Sequence, residues 1–142
     1  MENICTNQPF MILMQTSKAI QDQIREDMAK NNLTITEFSV LEVLFHKGKQ
    51  TIQQLANSVL ISSGSMTYVI DKLEQKALLQ RNACPDDRRV IHVTLTDDGM
   101  DVMNKIMPEH EAFVEFTFDA LNSNEAKNLV QLLKKVRKRV EN

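Results

Sequence analysis

A chain of 142 residues with 42% apolar and 25% charged side chains has the length and composition of one globular domain, here taken as residues 1–142, with a real core. Its two cysteines exclude a disulfide framework and make a reducing, cytoplasmic setting the expectation. The uncharged run near the N-terminus, residues 3–17, is too short and too polar to span a bilayer, and no basic segment precedes it as a signal peptide requires.

With three glycines, three prolines and many Leu, Ile, Met, Lys, Glu and Gln, the chain reads as mainly helical. The first helix is predicted over 9–30, opened by Pro9, with Phe10, Leu13, Ile20, Ile24 and Met28 at helical spacing. A second begins at the pair Thr34 and Glu37, a capping box, buries Phe38, Leu41, Leu44 and Phe45, and stops at Gly48. A short third helix begins at another capping box, Thr51 with Gln54, and turns Ile52, Leu55, Ala56 and Val59 inward. The fourth, over 62–77, has one apolar face made by Met66, Val69, Ile70, Leu73 and Ala77.

Period-two alternation occurs strongly once. In RVIHVTL, Ile91, Val93 and Leu95 alternate with Val90, His92 and Thr94, so this segment and LLQRN form a β-hairpin around the tip NACPDDR. Thr96 then caps a long helix from Asp97 to about Ala120, bent or interrupted at Pro108. Asn122 and Glu125 open a last helix with Ala126, Leu129, Val130, Leu133, Val136 and Val140 on one side. The expected fold is therefore mainly α (α+β): a winged helix-turn-helix core over 34–96, flanked by helices at 9–30 and 97–140 with apolar faces too wide for that core to cover. Such flanks are expected to bury each other in a homodimer.

Charge is distributed unevenly along the chain. The formal total is -2, yet residues 47–92 carry 7 basic and 4 acidic side chains, whereas 1–46 carry 3 and 6 and 93–142 carry 7 and 9. The basic third contains the fourth helix and the hairpin. Ser62, Ser63, Ser65 and Thr67 crowd the start of that helix, where small hydroxyls beside free amides suit phosphates and base edges, and Tyr68 and Lys72 extend the same face. At the hairpin tip, Arg88 and Arg89 suit a minor groove, and Asp86 or Asp87 can hold one guanidinium in place. Alternatively, the serines only cap the helix and the tip charges only keep a hairpin soluble.

The segment PDDRRVIHVTLTDDG resembles the wing signature of the MarR family of bacterial transcription regulators, an acid–x–Arg tip leading into a strand that ends Leu-Thr-x-x-Gly. The preceding TIQQLANSVLISSGSMTYVIDKLEQKALLQR resembles that family's helix-turn-helix. The resemblance places Asp87 on the acid, Arg89 on the minor-groove arginine and Arg88 on the position between them. It implies a winged-helix homodimer, joined by its terminal helices, that binds a pseudo-palindromic double-stranded DNA operator and usually represses. It also implies control by a small molecule or by cysteine oxidation. Candidate thiols are Cys5, with no adjacent cation, and Cys84, set among opposing charges in the wing. Met103 and Met107, with Phe10 and Met14, are candidates to line a pocket for a hydrophobic or aromatic effector.

The remaining features point elsewhere less well. His46, His92 and His110 lack metal-ligand spacing. The run KKVRKR at 134–139 suits a helix C-terminus. There is no Gly-rich phosphate loop, nucleophile elbow or triad, so neither an enzyme nor a cofactor is expected. The competing class is a winged helix used only to bind protein. The tip arginines argue against it, because protein interfaces shed unpaired charge from their cores.

Overall fold

The computed structural model describes residues 7–61 and 64–141. Six helices and three short strands follow in the order α1 (Gln8–Ala29), α2 (Ile35–Lys47), β1 (Gln50–Thr51), α3 (Ile52–Ser58), α4 (Met66–Gln75), β2 (Leu79–Ala83), β3 (Ile91–Leu95), α5 (Asp97–Phe118) and α6 (Ser123–Val140). The chain divides into two compact units, residues 1–104 and 105–142.

The first unit is built around α2. Its residues 35–41, with Val43 and Leu44, are buried, so this helix is covered nearly all round. Two local signals fix its ends. Thr34 Oγ1 accepts from Glu37 N at 3.0 Å while Glu37 Oε1 accepts from Thr34 N at 2.8 Å, and Gly48 takes a left-handed φ of 73° at the end. Leu55 of α3, Val69, Ile70 and Leu73 of α4, Leu79 and Val93 of the sheet, and Ile24 and Met28 of α1 complete the core. Phe45 is only half-buried, and Ala56 is exposed rather than inward. A seven-residue helix makes only about two turns, and Leu55 is its one buried residue.

The sheet is antiparallel in the order β1-β3-β2. Pairing of Leu79 with Leu95, Arg81 with Val93 and Ala83 with Ile91 sets the hairpin register. Of the alternating residues in β3, Val93 is fully buried, while Ile91 and Leu95 are half-buried. Strand β1 was not expected. Its two residues pair with Val93 and His92 immediately before the α3 capping box, too short a segment to show any period.

Two other boundaries differ from expectation. Helix α4 covers 66–75 rather than 62–77: Ser65 is its N-cap, and Ala77, at φ 60°, closes its far end. Helix α5 passes through Pro108 without interruption. Proline removes one amide donor from the ladder, but Pro108 is exposed, so water can serve the carbonyl left over. At the start of α5, Thr96 Oγ1 accepts from Gly99 N at 3.0 Å.

In the second unit, Asn122 and Glu125 form a reciprocal cap with distances of 2.9 and 3.0 Å. Helix α6 contains no buried residue; Val136 is 53% exposed and Val140 80%. No helix of the described residues is long and apolar enough to cross a membrane.

Candidate nucleic-acid interface

The amino end of α4 is open and polar. Ser65 Oγ accepts from Tyr68 N at 3.4 Å, and both Thr67 and Tyr68 are exposed. Ser62 and Ser63 lie outside the described residues. Tyr68 and Lys72 are one turn apart, with the Lys72 ammonium 5.4 Å from the Tyr68 ring centroid. That cation–π contact stiffens two otherwise free side chains on one face.

The wing tip is closed by backbone and by one carboxylate. Cys84 N donates to Val90 O at 2.9 Å and Val90 N donates to Asp87 O at 3.0 Å. Asp87 Oδ1 accepts from Arg89 N at 3.0 Å and from Arg89 Nε at 3.2 Å, and Asp87 Oδ2 accepts from an Arg89 terminal nitrogen at 3.5 Å. The first of these is a turn contact; the other two orient the guanidinium. Together the Arg89 amide and guanidinium hold the Asp87 carboxyl below its ordinary value. Yet the Arg89 side chain remains 91% exposed. It is aimed without being used by the fold. Arg88 is exposed beside it, and Asp86 is exposed as well.

Wing and helix are joined by a residue that the sequence reading overlooked. Arg81 lies opposite Val93 across the β2–β3 ladder, so its stem shares the inner face of the sheet. Its guanidinium reaches back to α4, pairing with Asp71 and, at 2.8 Å, with Glu74 Oε1. The Arg81 amide also donates to Glu74 Oε2 at 3.3 Å. These partners, Asp71 foremost, raise the arginine further above its already high pKa. An arginine at an inward strand position, following two acids three residues apart on a helix, was the available signal.

The other candidates are placed as follows. Cys84 is a half-buried free thiol in the wing, and Cys5 lies outside the described residues. Met103 and Met107 are buried, whereas Phe10 and Met14 of α1 are exposed. No group of three or more His, Cys, Asp or Glu side chains among the described residues could hold a metal ion.

Comparison with known proteins identifies the family and the fold. The MarR family profile matches residues 33–91, from the start of α2 into the wing. The chain is 42% identical over 127 residues to the HTH-type transcriptional regulator MhqR of Bacillus subtilis (strain 168), covering 89% of this chain and 88% of that one. It is 36% identical over 126 residues to the HTH-type transcriptional regulator YkoM of the same organism, covering 89% and 82%. The solved structure of BpsR from Bordetella bronchiseptica, described as regulated in its DNA binding by 6-hydroxynicotinic acid, superposes with a TM-score of 0.78 at 27% identity, covering 92% of this chain and 99% of that one. An open-ended helix and a clamped arginine on a winged helix-turn-helix, with relatives of this kind over nearly the full length, establish that the chain belongs to the MarR family of DNA-binding transcription regulators.

Proposed function

We propose that the protein is a homodimeric repressor of a pseudo-palindromic operator in double-stranded DNA. The observation that carries this reading is the Asp87–Arg89 clamp. A guanidinium held by two carboxylate contacts has already lost much of its rotamer freedom, so it meets a ligand at lower entropic cost. Placed at a wing tip, it suits the minor groove of an A·T tract, while Ser65, Thr67, Tyr68 and Lys72 address the major groove. Ser62 and Ser63 would add phosphate contacts beside them. Arg88 takes a phosphate.

Dimerisation is supported within each unit separately. Phe10, Leu13 and Met14 on α1 are exposed, as are Val130, Leu133, Val136 and Val140 on α6. Apolar faces of this kind mark interaction surfaces rather than solvated ones. In a two-fold dimer the two α4 helices enter successive major grooves, so half-sites lie about 10 bp apart centre to centre. Selection from random duplexes should therefore return an inverted repeat. Recovery of only single-stranded or RNA ligands would reject the reading.

We further propose release by a small molecule. BpsR supplies the precedent of an aromatic acid acting on DNA binding. The exposed apolar side chains of Phe10 and Met14 on α1 offer such a compound a surface to bind. The effector must bind the DNA-incompetent state more tightly than the competent one.

A further inference from the structure

Lys76 is the C-cap of α4, a position where a lysine ordinarily lies in water beside the last carbonyls. Here its ammonium leaves the helix. It donates to Asn32 O at 2.7 Å and to Glu37 Oε1 at 3.0 Å. Both acceptors are also held by contacts of their own. Asn32 adopts φ 58° at the end of α1, where Asn32 N reaches Ala29 O and Leu33 N reaches Met28 O. Glu37 is fixed by the α2 capping box, and its side chain is only 6% exposed.

A capping box does not by itself require that charge. Helix α3 forms the same reciprocal cap with the neutral Gln54. A buried carboxylate is costly unless it is paired, and at Glu37 the partner is a residue 39 positions away, on the helix that faces DNA. The end of α4 is held from a second direction as well. Ala77 O accepts from the Thr96 hydroxyl at 2.6 Å, and Leu78 O accepts from Thr96 N at 3.1 Å. Helix α4 is thus anchored at its carboxyl end and open at its amino end. Ten residues make a lever of about 15 Å, so a small rotation at the anchor displaces the reading end appreciably.

We infer that Lys76 is a positioning residue: by tying α4 to the α1–α2 corner through Glu37 and Asn32, it sets the pitch of the recognition helix and hence the half-site spacing the dimer accepts. This inference rests on the paired half-site reading given above. Because α1 ends at the same corner, whatever α1 meets in the dimer is felt at α4 through this tie.

The test uses the full-length protein and duplexes carrying the selected inverted repeat at its own spacing, the same half-sites moved closer or apart by a single base pair, and one half-site alone. Lys76→Met removes the charge and keeps most of the stem, and Glu37→Gln keeps the cap and the acceptor oxygen but removes the carboxylate charge that makes the ion pair. Both should reduce the parent's preference for the correct spacing about fivefold or more, the range of ordinary coupling between sites, while single half-site affinity and dimer mass stay as in the parent. Lys76→Arg, which retains donors to both acceptors, should recover most of the preference. Folded variants that discriminate spacing as sharply as the parent overturn the proposal. Should Lys76→Met not fold, Glu37→Gln carries the same comparison. A parent without any spacing preference defeats the paired half-site reading itself, and that failure is visible before any variant is made.

Discussion

At the tip of the wing, Asp87 and Arg89 do different work, and single substitutions separate them. Removal of a groove-reading arginine should cost on the order of 1–3 kcal/mol of binding and relax preference at the outer A·T positions. Arg89→Ala is expected to behave so in a titration against operators differing only in those positions. Arg88→Ala should instead weaken all sequences evenly and lower the salt slope by about one unit. Neither arginine variant should move folding stability by more than about 0.5 kcal/mol, because both side chains are exposed. Asp87→Ala should partly mimic Arg89→Ala, since the guanidinium then loses its support. Equal operator affinity of Arg89→Ala and parent across the salt range would leave the tip as a solubilising hairpin end. The acid has its own pH window. Its folded pKa is depressed, so the clamp is intact at neutral pH and opens only as pH falls below the ordinary carboxylate range.

Helix α4 shows which sequence signals determine an element and which do not. Its apolar face was legible because Val69, Ile70 and Leu73 recur at helical spacing and are all buried. Its ends were harder to read. Serines are plausible at several successive cap positions, and only Ser65 takes the role among the described residues. The far end carries no glycine; Ala77 adopts φ 60°, with Ala77 N on Glu74 O and Leu78 N on Leu73 O completing the turn. A left-handed alanine costs roughly 1 kcal/mol relative to glycine. Ala77→Gly should therefore raise unfolding free energy by up to about 1 kcal/mol in a denaturant titration, because the alanine methyl is exposed and little packing is lost. A stability equal to or below the parent's would show that the turn is not strained. The capping boxes at Thr34, Thr51 and Asn122 were read correctly because each depends on two residues at fixed separation. The Arg81 and Lys76 ties were not read. Lys76 reaches a residue 39 positions away that nothing local marks, whereas Arg81 reaches the adjacent helix, where two acids three residues apart were the one signal.

For the whole molecule, the order of elements followed from hydrophobic period and caps, and the wing motif then singled out a family. Residues 1–104 have a core built on α2, whereas α6 buries nothing of its own. A helix with Leu133 and Val136 exposed beside a basic run is expected to find its partner in a second chain. Light scattering at micromolar concentration should give about twice the 16.3 kDa chain mass. Leu133→Glu or Val136→Glu should shift that mass toward the single chain and abolish tight operator binding together; a monomeric parent refutes the assembly. The junction at Gly99 bears on how such a protein diversifies. A Cβ there would lie 1.9 Å from Leu78 O, so no other residue fits without moving the backbone. With Thr96 and Gly99 locking the base of the hairpin, residues 84–90 are expected to behave as an exchangeable cassette. Tips from other wings grafted between Ala83 and Ile91 should therefore change flanking preference while leaving the frame below, and so the melting temperature, unchanged.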